Sequence, residues 1–229
     1  MDTEKKTGIL DGTTLKFIAM ISMVLDHIGD NFFPAQTWMR IAGRIAMPVF
    51  AFCLCEGFCH THDRIRYLKR MLLFGLISEV PFDQVTSGKI LEFSHQNIML
   101  TFCWAMICLM CAEKILEKGR NFRVYLGVFL TAACFMASAI LLGLDYSMVA
   151  VALICVYYVL RERALWIRNT AALAVHVMLR NVGIYFWGIL GFVPVYLYNG
   201  QKGRGLKWLF YTFYPGHLLL IYFVRCFLC

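Results

Sequence analysis

Long apolar runs alternate with short polar or basic stretches along this chain, and most runs reach the ~20 residues a helix needs to cross a bilayer. Read against turn and charge punctuation, they predict helices near 15–33, 38–60, 67–86, 95–116, 122–142, 145–160, 164–180, 182–199 and 206–228. The run 145–160 is short, and 164–180 and 182–199 are joined by almost nothing, so one of these is a candidate for a re-entrant or interfacial piece. The pattern predicts an all-α, polytopic transmembrane helix bundle of about nine crossings, with eight and ten as bounds. A single domain over 1–229 is expected, because the crossings leave no length for a soluble unit.

Composition agrees: 60% of residues are hydrophobic and 16% charged, where a soluble domain has about 25% charged. A formal net charge of +8 raises the question of nucleic acid, but the cations lie in short loops rather than on a water-exposed face. No nucleic-acid partner is expected. The cations also fall in alternate loops. One set holds Lys5, Lys6, Arg64, Arg66, Lys69, Arg70, Lys114, Lys118, Arg120, Arg123, Arg161, Arg163, Arg168, Lys202, Arg204 and Lys207, and the other little beyond Arg40, Lys89 and Arg180. The positive-inside rule then puts the N-terminus in the cytoplasm, as a multi-pass protein of a bacterial plasma membrane surrounded by lipid. The first apolar run lacks a small-residue cleavage site and is expected to stay. Ten cysteines include the pairs Cys108/Cys111 and Cys226/Cys229, which the topology sends to opposite faces, so no shared thiolate metal site is expected.

The candidate chemistry begins in the first run, which carries Asp26, His27 and Asp30, although an Asp at the centre of a span costs roughly 2.5–3.5 kcal/mol. At 1.5 Å per residue, His27 and Arg44 both lie roughly 9 Å below the outer surface, and Glu79 roughly 10 Å. His176 and His217 fall in the same half, and His95, Gln96 and Asn97 are expected to open the fourth helix there. A polar layer of this kind predicts a cavity. Asp26 beside His27 is the raw material of a general base, the acid fixing the imidazole tautomer. The same residues suit a divalent metal with His95 or Glu79 as further ligands, but no metal is expected. Pro48 predicts a kink in the second helix, and Gly43 a close approach beside Arg44. Near the inner surface a Lys16–Glu56 pair is expected, and Arg64, Arg66, Lys69 and Arg70 form a basic cluster that suits anionic lipid or a phosphate-bearing cytosolic molecule.

The stretches LKFIAMISMVLDHIG, RIAGRIAMPVFAFCLCEGFCHTHDRIRYLKR, LISEVPFD, HQNIMLTF, LDYSMVAV and LKWLFYTFYPGHLLLIYF, in this order, resemble the TraX family of integral-membrane acetyltransferases, whose namesake acetylates the N-terminus of conjugative pilin. Met47 stands where an aromatic residue is common, and His62 where a basic residue often follows Thr61. The resemblance implies transfer of an acetyl group from cytoplasmic acetyl-CoA to an amine or hydroxyl at the outer face, on a pilin-like N-terminus or a cell-envelope glycan. It implies His27 as the base and Asp26 as its partner, with Arg44 and His217 in matching catalytic blocks. Asp30, Glu79, His95, Gln96 and Asn97 then fall to the acceptor, with Arg44 or Asn97 as support for the oxyanion. Lys16, Glu56, Arg64, Arg66, Lys69 and Arg70 fall to the donor. A pantetheine arm is about as long as the roughly 18 Å from Leu15 to His27. The rival from another class is a proton-coupled transporter or channel with Asp26, Asp30 and Glu79 as relay carboxylates. The absence of a visible internal repeat and the apolar inner half count against it.

Overall fold

The computed structural model describes residues 8–228, so Lys5, Lys6 and Cys229 lie outside the described residues. Among these there is no strand, only two isolated bridges, Leu10 with Tyr198 and Gln96 with Leu144. The chain forms α1 (Gly12–Phe32), α2 (Thr37–Gly43), α3 (Ala46–His60), α4 (Arg64–Thr86), α5 (Ile98–Leu116), α6 (Phe122–Leu141), α7 (Ser147–Val159) and α8 (Leu165–Leu179). A 3-10 segment (Ile184–Gly191) leads into α9 (Phe192–Tyr196), and α10 (Lys207–Leu228) closes the chain. Several starts are set by caps rather than by hydropathy. The side chains of Asp11, Asp63, Asn97 and Asn121 accept backbone N–H groups of Thr14, Arg66, Met99 and Val124, satisfying donors that the first turn leaves free. Hence α1 and α4 begin about one turn before their apolar runs, and His95 to Asn97 lie before α5 rather than opening it.

Three helical stretches are long and apolar enough to cross a membrane by length and composition: Thr37–His60, Ile98–Leu116 and Phe122–Leu141. Helices α1, α4 and α10 are as long, with 21, 23 and 22 residues, but more polar. The centre is apolar: Val49 and Phe52 of α3, Met106 and Leu109 of α5, and Val149, Leu153 and Ile154 of α7 are fully enclosed. Leu72, Leu76 and Val80 of α4, Leu126 and Phe129 of α6 and Leu220 and Phe223 of α10 face outward instead. Those outward apolar faces suit lipid, where water would leave them costly. Cross-links sort the loops between two ends. Leu10 N–H donates to Leu197 O, and the pairs Arg64–Glu113, Arg120–Glu162 and Arg168–Glu56 gather the basic loops at one end. At the opposite end Arg225 of α10 donates to Asn31 Oδ1 and to the carbonyls of Gln84 and Val85, closing α1, α4 and α10 together.

The run 38–60 is one stretch broken at Arg44–Ile45, one turn before Pro48. The proline ring displaces the carbonyl four residues back, which is that of Arg44. Ser22 of α1 covers the break, its hydroxyl 2.6 and 3.1 Å from the carbonyls of Ala42 and Gly43. The 3-10 segment packs on the same place. Residues three apart eclipse in a 3-10 helix, so Gly188 and Gly191 share one face. A side chain at Gly191 would come within 2.7 Å of the Ile45 carbonyl oxygen.

Candidate active site

The break in α2/α3 turns Arg44 inward, where only 4% of its side chain is exposed. Its Nη2 pairs with Asp26 Oδ2, and its Nε donates to the Arg40 carbonyl at 3.3 Å. Two aromatic faces cover the guanidinium, Tyr185 at 5.0 Å and Tyr146 at 5.7 Å from ring centre to Cζ. Tyr146 reaches this position from a left-handed backbone, φ 52°, followed by Ser147 at φ 44°. A bulky residue in that region is strained, and the loop holds it there with the Thr101 hydroxyl donating to the Asp145 carbonyl at 2.9 Å. Arg40 completes the cluster, 3.1 Å from Asp26 Oδ1 and 3.2 Å from Asp30 Oδ1.

The structure parts Asp26 from His27. Successive residues on a helix point about 100° apart, so Asp26 faces α2 while His27 faces α10. The expected Asp26–His27 dyad is therefore corrected: the carboxylate serves two arginines, and the His27 ring lies 5.3 Å from the ring of His217. His217 is buried, with Nδ1 2.9 Å from the Phe213 carbonyl and the Phe213 ring stacked 4.8 Å away. A carbonyl only accepts, so the neutral ring carries its hydrogen on Nδ1 and presents a lone pair at Nε2. That Nε2 is buried and has no hydrogen-bond partner.

Two further assignments change. Asn97 is fully buried and its donors are spent, Nδ2 on the Gly75 carbonyl at 2.8 Å and on Glu79, and its N–H on Glu79 Oε1 at 3.0 Å. Glu79 and Asn97 thus fasten α4 to the start of α5. His95 is exposed, its Nε2 3.8 Å from Asp145 Oδ1, and Gln96 Nε2 donates to the Phe93 carbonyl at 3.1 Å. In the same loop the Lys89 ammonium beside Glu92 holds that carboxyl down at about 2. His176 lies apart from the pair, its Nε2 3.2 Å from the Tyr185 carbonyl.

At the basic end the expected Lys16–Glu56 pair is absent. Glu56 accepts from Arg168 Nη2 of α8 at 2.6 Å, and Lys16 Nζ lies 5.0 Å from the centre of the Phe210 ring. Arg64 pairs with Glu113, while Arg66, 74% exposed, lies 3.2 Å from Asp63, and Lys69 is exposed. An open depression of about 690 Å³ is lined by residues 59–65. Among the described residues no three His, Cys, Asp or Glu side chains converge as a metal site requires. Residues that the sequence reading passed over are Arg40, Asp145, Tyr146, Tyr185 and Phe213. The stretches quoted for the family resemblance contain Arg40, Asp145, Tyr146 and Phe213, whereas Tyr185 lies outside all of them.

Residues 11–225 match the family model described as TraX protein, and the chain belongs to that family. It is 28% identical over 246 residues to the "Probable fimbrial assembly protein FimC, serogroup H1" of Dichelobacter nodosus, covering 93% of this chain and 95% of that protein. Protein TraX of Escherichia coli is 36% identical over 69 residues, 30% of this chain and 28% of its own. "Uncharacterized protein RP591" of Rickettsia prowazekii is 36% identical over 98 residues, 43% of this chain and 35% of its own. No solved structure matches.

A side chain at Gly43 would stand 2.3 Å from the Asp26 Cβ. Gly43→Ala is therefore expected to push α1 from α2 and cost about 1–3 kcal/mol by overpacking. A fall in thermal midpoint in detergent checks this, and an unchanged midpoint would refute the close approach.

Proposed function

We propose that the chain is an integral-membrane acetyltransferase of the plasma membrane, with the basic end in the cytoplasm and the whole chain acting as one unit. It takes the acetyl group of acetyl-CoA from that end and transfers it to an amine or hydroxyl presented at the opposite end. The observation that carries the reading is the facing pair His27 and His217, one ring nitrogen of which is buried and unpartnered beside an arginine-rich layer.

In the proposed step the acceptor nitrogen or oxygen attacks the thioester carbonyl carbon while His27 takes its proton. The new C–N or C–O bond forms as the C–S bond breaks, and the departing thiolate recovers the proton from the imidazolium. His217, whose ring lies 5.3 Å from that of His27 and keeps its lone pair on Nε2, supports the imidazolium. Arg40 is placed to steady the oxyanion: its Nη1 serves Asp26 and Asp30, and its other nitrogens make no hydrogen bond among the described residues. Asn97, with its donors spent, drops out of that role. The fimbrial name of the Dichelobacter relative favours a pilin-like or fimbrial subunit as acceptor over a glycan. The transporter reading gains nothing, since Asp26 and Asp30 are held by arginines, Glu79 by Asn97, and the enclosed middle is apolar.

The test uses purified protein in phosphatidylcholine nanodiscs with acetyl-CoA and a panel of free-N-terminal pilin-like peptides and envelope glycans. Free thiol should appear together with an acceptor heavier by one acetyl group. Thiol release without acetylated product for every acceptor, or no release, would overturn the reading.

A further inference from the structure

We propose that Arg180, at the end of α8 beside the charge layer, binds an acidic side chain near the N-terminus of a peptide acceptor. The inference rests on the acetyltransferase reading and narrows its acceptor class to peptides that carry a carboxylate a few residues from the reacting amine.

Arg180 closes the end of α8 remote from the basic loops, its N–H donating to the His176 carbonyl at 2.8 Å. The chain then turns at Gly183, φ 70°, and returns Tyr185 to that end, where its carbonyl lies 3.2 Å from His176 Nε2. The exposed ring of Tyr185 joins two arginines. Its centre is 4.7 Å from Cζ of Arg180 and 5.0 Å from Cζ of Arg44, so the two guanidiniums lie within about 10 Å of each other.

The other cations at this end have acceptors within the protein. Arg44 has Asp26, Arg40 has Asp26 and Asp30, Lys89 has Glu92, and Arg225 has Asn31 and two backbone carbonyls. Arg180 is the exception: it is half-buried, and among the described residues no carboxylate lies within 4.0 Å of it. Its Nε is buried and has no acceptor, a donor withdrawn from water with nothing in return. The dipole at the C-terminal end of α8 offsets part of the charge but leaves that donor unmet. A carboxylate from outside the chain would meet it, since the guanidinium fork matches two carboxylate oxygens.

The place also suits the reaction. Arg44 pairs with Asp26, which is next to His27 in sequence, so a group on Arg180 lies beside the reacting layer. An extended chain advances ~3.3–3.6 Å per residue, and about three to five residues span from His27 to Arg180. A lipid phosphate offers the same fork of oxygens, but the ring that Arg180 shares with Arg44 ties it to the charge layer, and we assign the anion to the acceptor.

The test compares two pilin-like peptides with free N-termini, one with Asp at its third to fifth positions and one with Asn there. Binding, and kcat and KM for acetyl transfer, are measured with the whole protein in phosphatidylcholine nanodiscs. The unsubstituted protein should bind the Asp peptide about 10-fold or more tightly than the Asn peptide, as a charged hydrogen bond provides. Arg180→Gln should erase that preference by raising KM for the Asp peptide while leaving the Asn peptide and kcat nearly unchanged, and Arg180→Lys should restore part of it. Lys89→Ala, which removes an exposed cation at the same end, should shift binding less than about 3-fold. Equal losses for both peptides in Arg180→Gln, or no preference in the unsubstituted protein, would overturn the site. Thermal stabilisation by added phosphatidylglycerol that Arg180→Gln abolishes, with peptide binding intact, would give the arginine to lipid and overturn it as well. Transfer indifferent to the Asp residues overturns the site and leaves the acetyltransferase reading; Arg180-dependent binding of the Asp peptide without transfer supports the site and overturns the reading.

Discussion

Replacing His27 by Ala is expected to lower acetyl transfer by about 10²- to 10⁴-fold while the protein still folds, because a positioned general base is worth that much. The fold is expected to tolerate the change, since the ring makes no hydrogen bond among the described residues and its main neighbour is the ring of His217. His217→Ala is expected to cost less, since that ring acts through His27. The double variant separates the schemes. If the two imidazoles act as one unit, the double variant is little worse than His27→Ala alone; if His217 only packs, the two losses multiply. Initial rates with purified variants, alongside thermal midpoints, decide it. Activity within about threefold of the parent in folded His27→Ala would sink the proposed base.

How far the residues announced this site depends on which coordinate is asked for. Depth was legible, because 1.5 Å per residue turns sequence position into level. His27, Arg44 and His217 do meet in one layer, near the end remote from the basic loops. Azimuth was not. Asp26 and His27 are adjacent in sequence, and only the packing of α2 on one side of α1 and α10 on the other assigns one to arginine and the other to histidine. Lys16 and Glu56 share a level, yet Arg168 takes the carboxylate because α7, packed on both α3 and α8, brings that arginine within reach. Most helices followed from hydropathy, but the run 182–199 forms a 3-10 segment and the five-residue α9 rather than one crossing helix, and the starts of α1 and α4 followed from Asp11 and Asp63, cap signals that lie outside the apolar runs. Pro48 gave notice of a kink, but the covering of that break by Ser22, Gly188 and Gly191 is a matter of tertiary contact. Tyr146 was the least readable, because a left-handed tyrosine is imposed by its surroundings and has no local signal.

Arg44→Ala is expected to be the most destabilising single change in the layer, costing about 3–5 kcal/mol, because it leaves the Asp26 carboxylate, 14% exposed, without its inner partner. Arg40 at 3.1 Å recovers part of that loss, so the lower end of the range is the better guide. The informative variant is the double one. Arg44→Met with Asp26→Leu removes both charges and fills their space with apolar groups of similar size, a replacement that is often neutral or stabilising for a buried pair. Its thermal midpoint should return close to that of the parent, with Arg40 still on Asp30 at the exposed edge. Acetyl transfer should stay low in the double variant, because the charge layer beside His27 has gone although the fold has recovered. A double variant as unstable as Arg44→Ala would mean that the guanidinium is held chiefly by Tyr185 and Tyr146 rather than by the carboxylate. Recovery of activity along with stability would mean that the pair is only a lock between α1 and α2, and the proton chemistry would then have to rest on the two histidines alone.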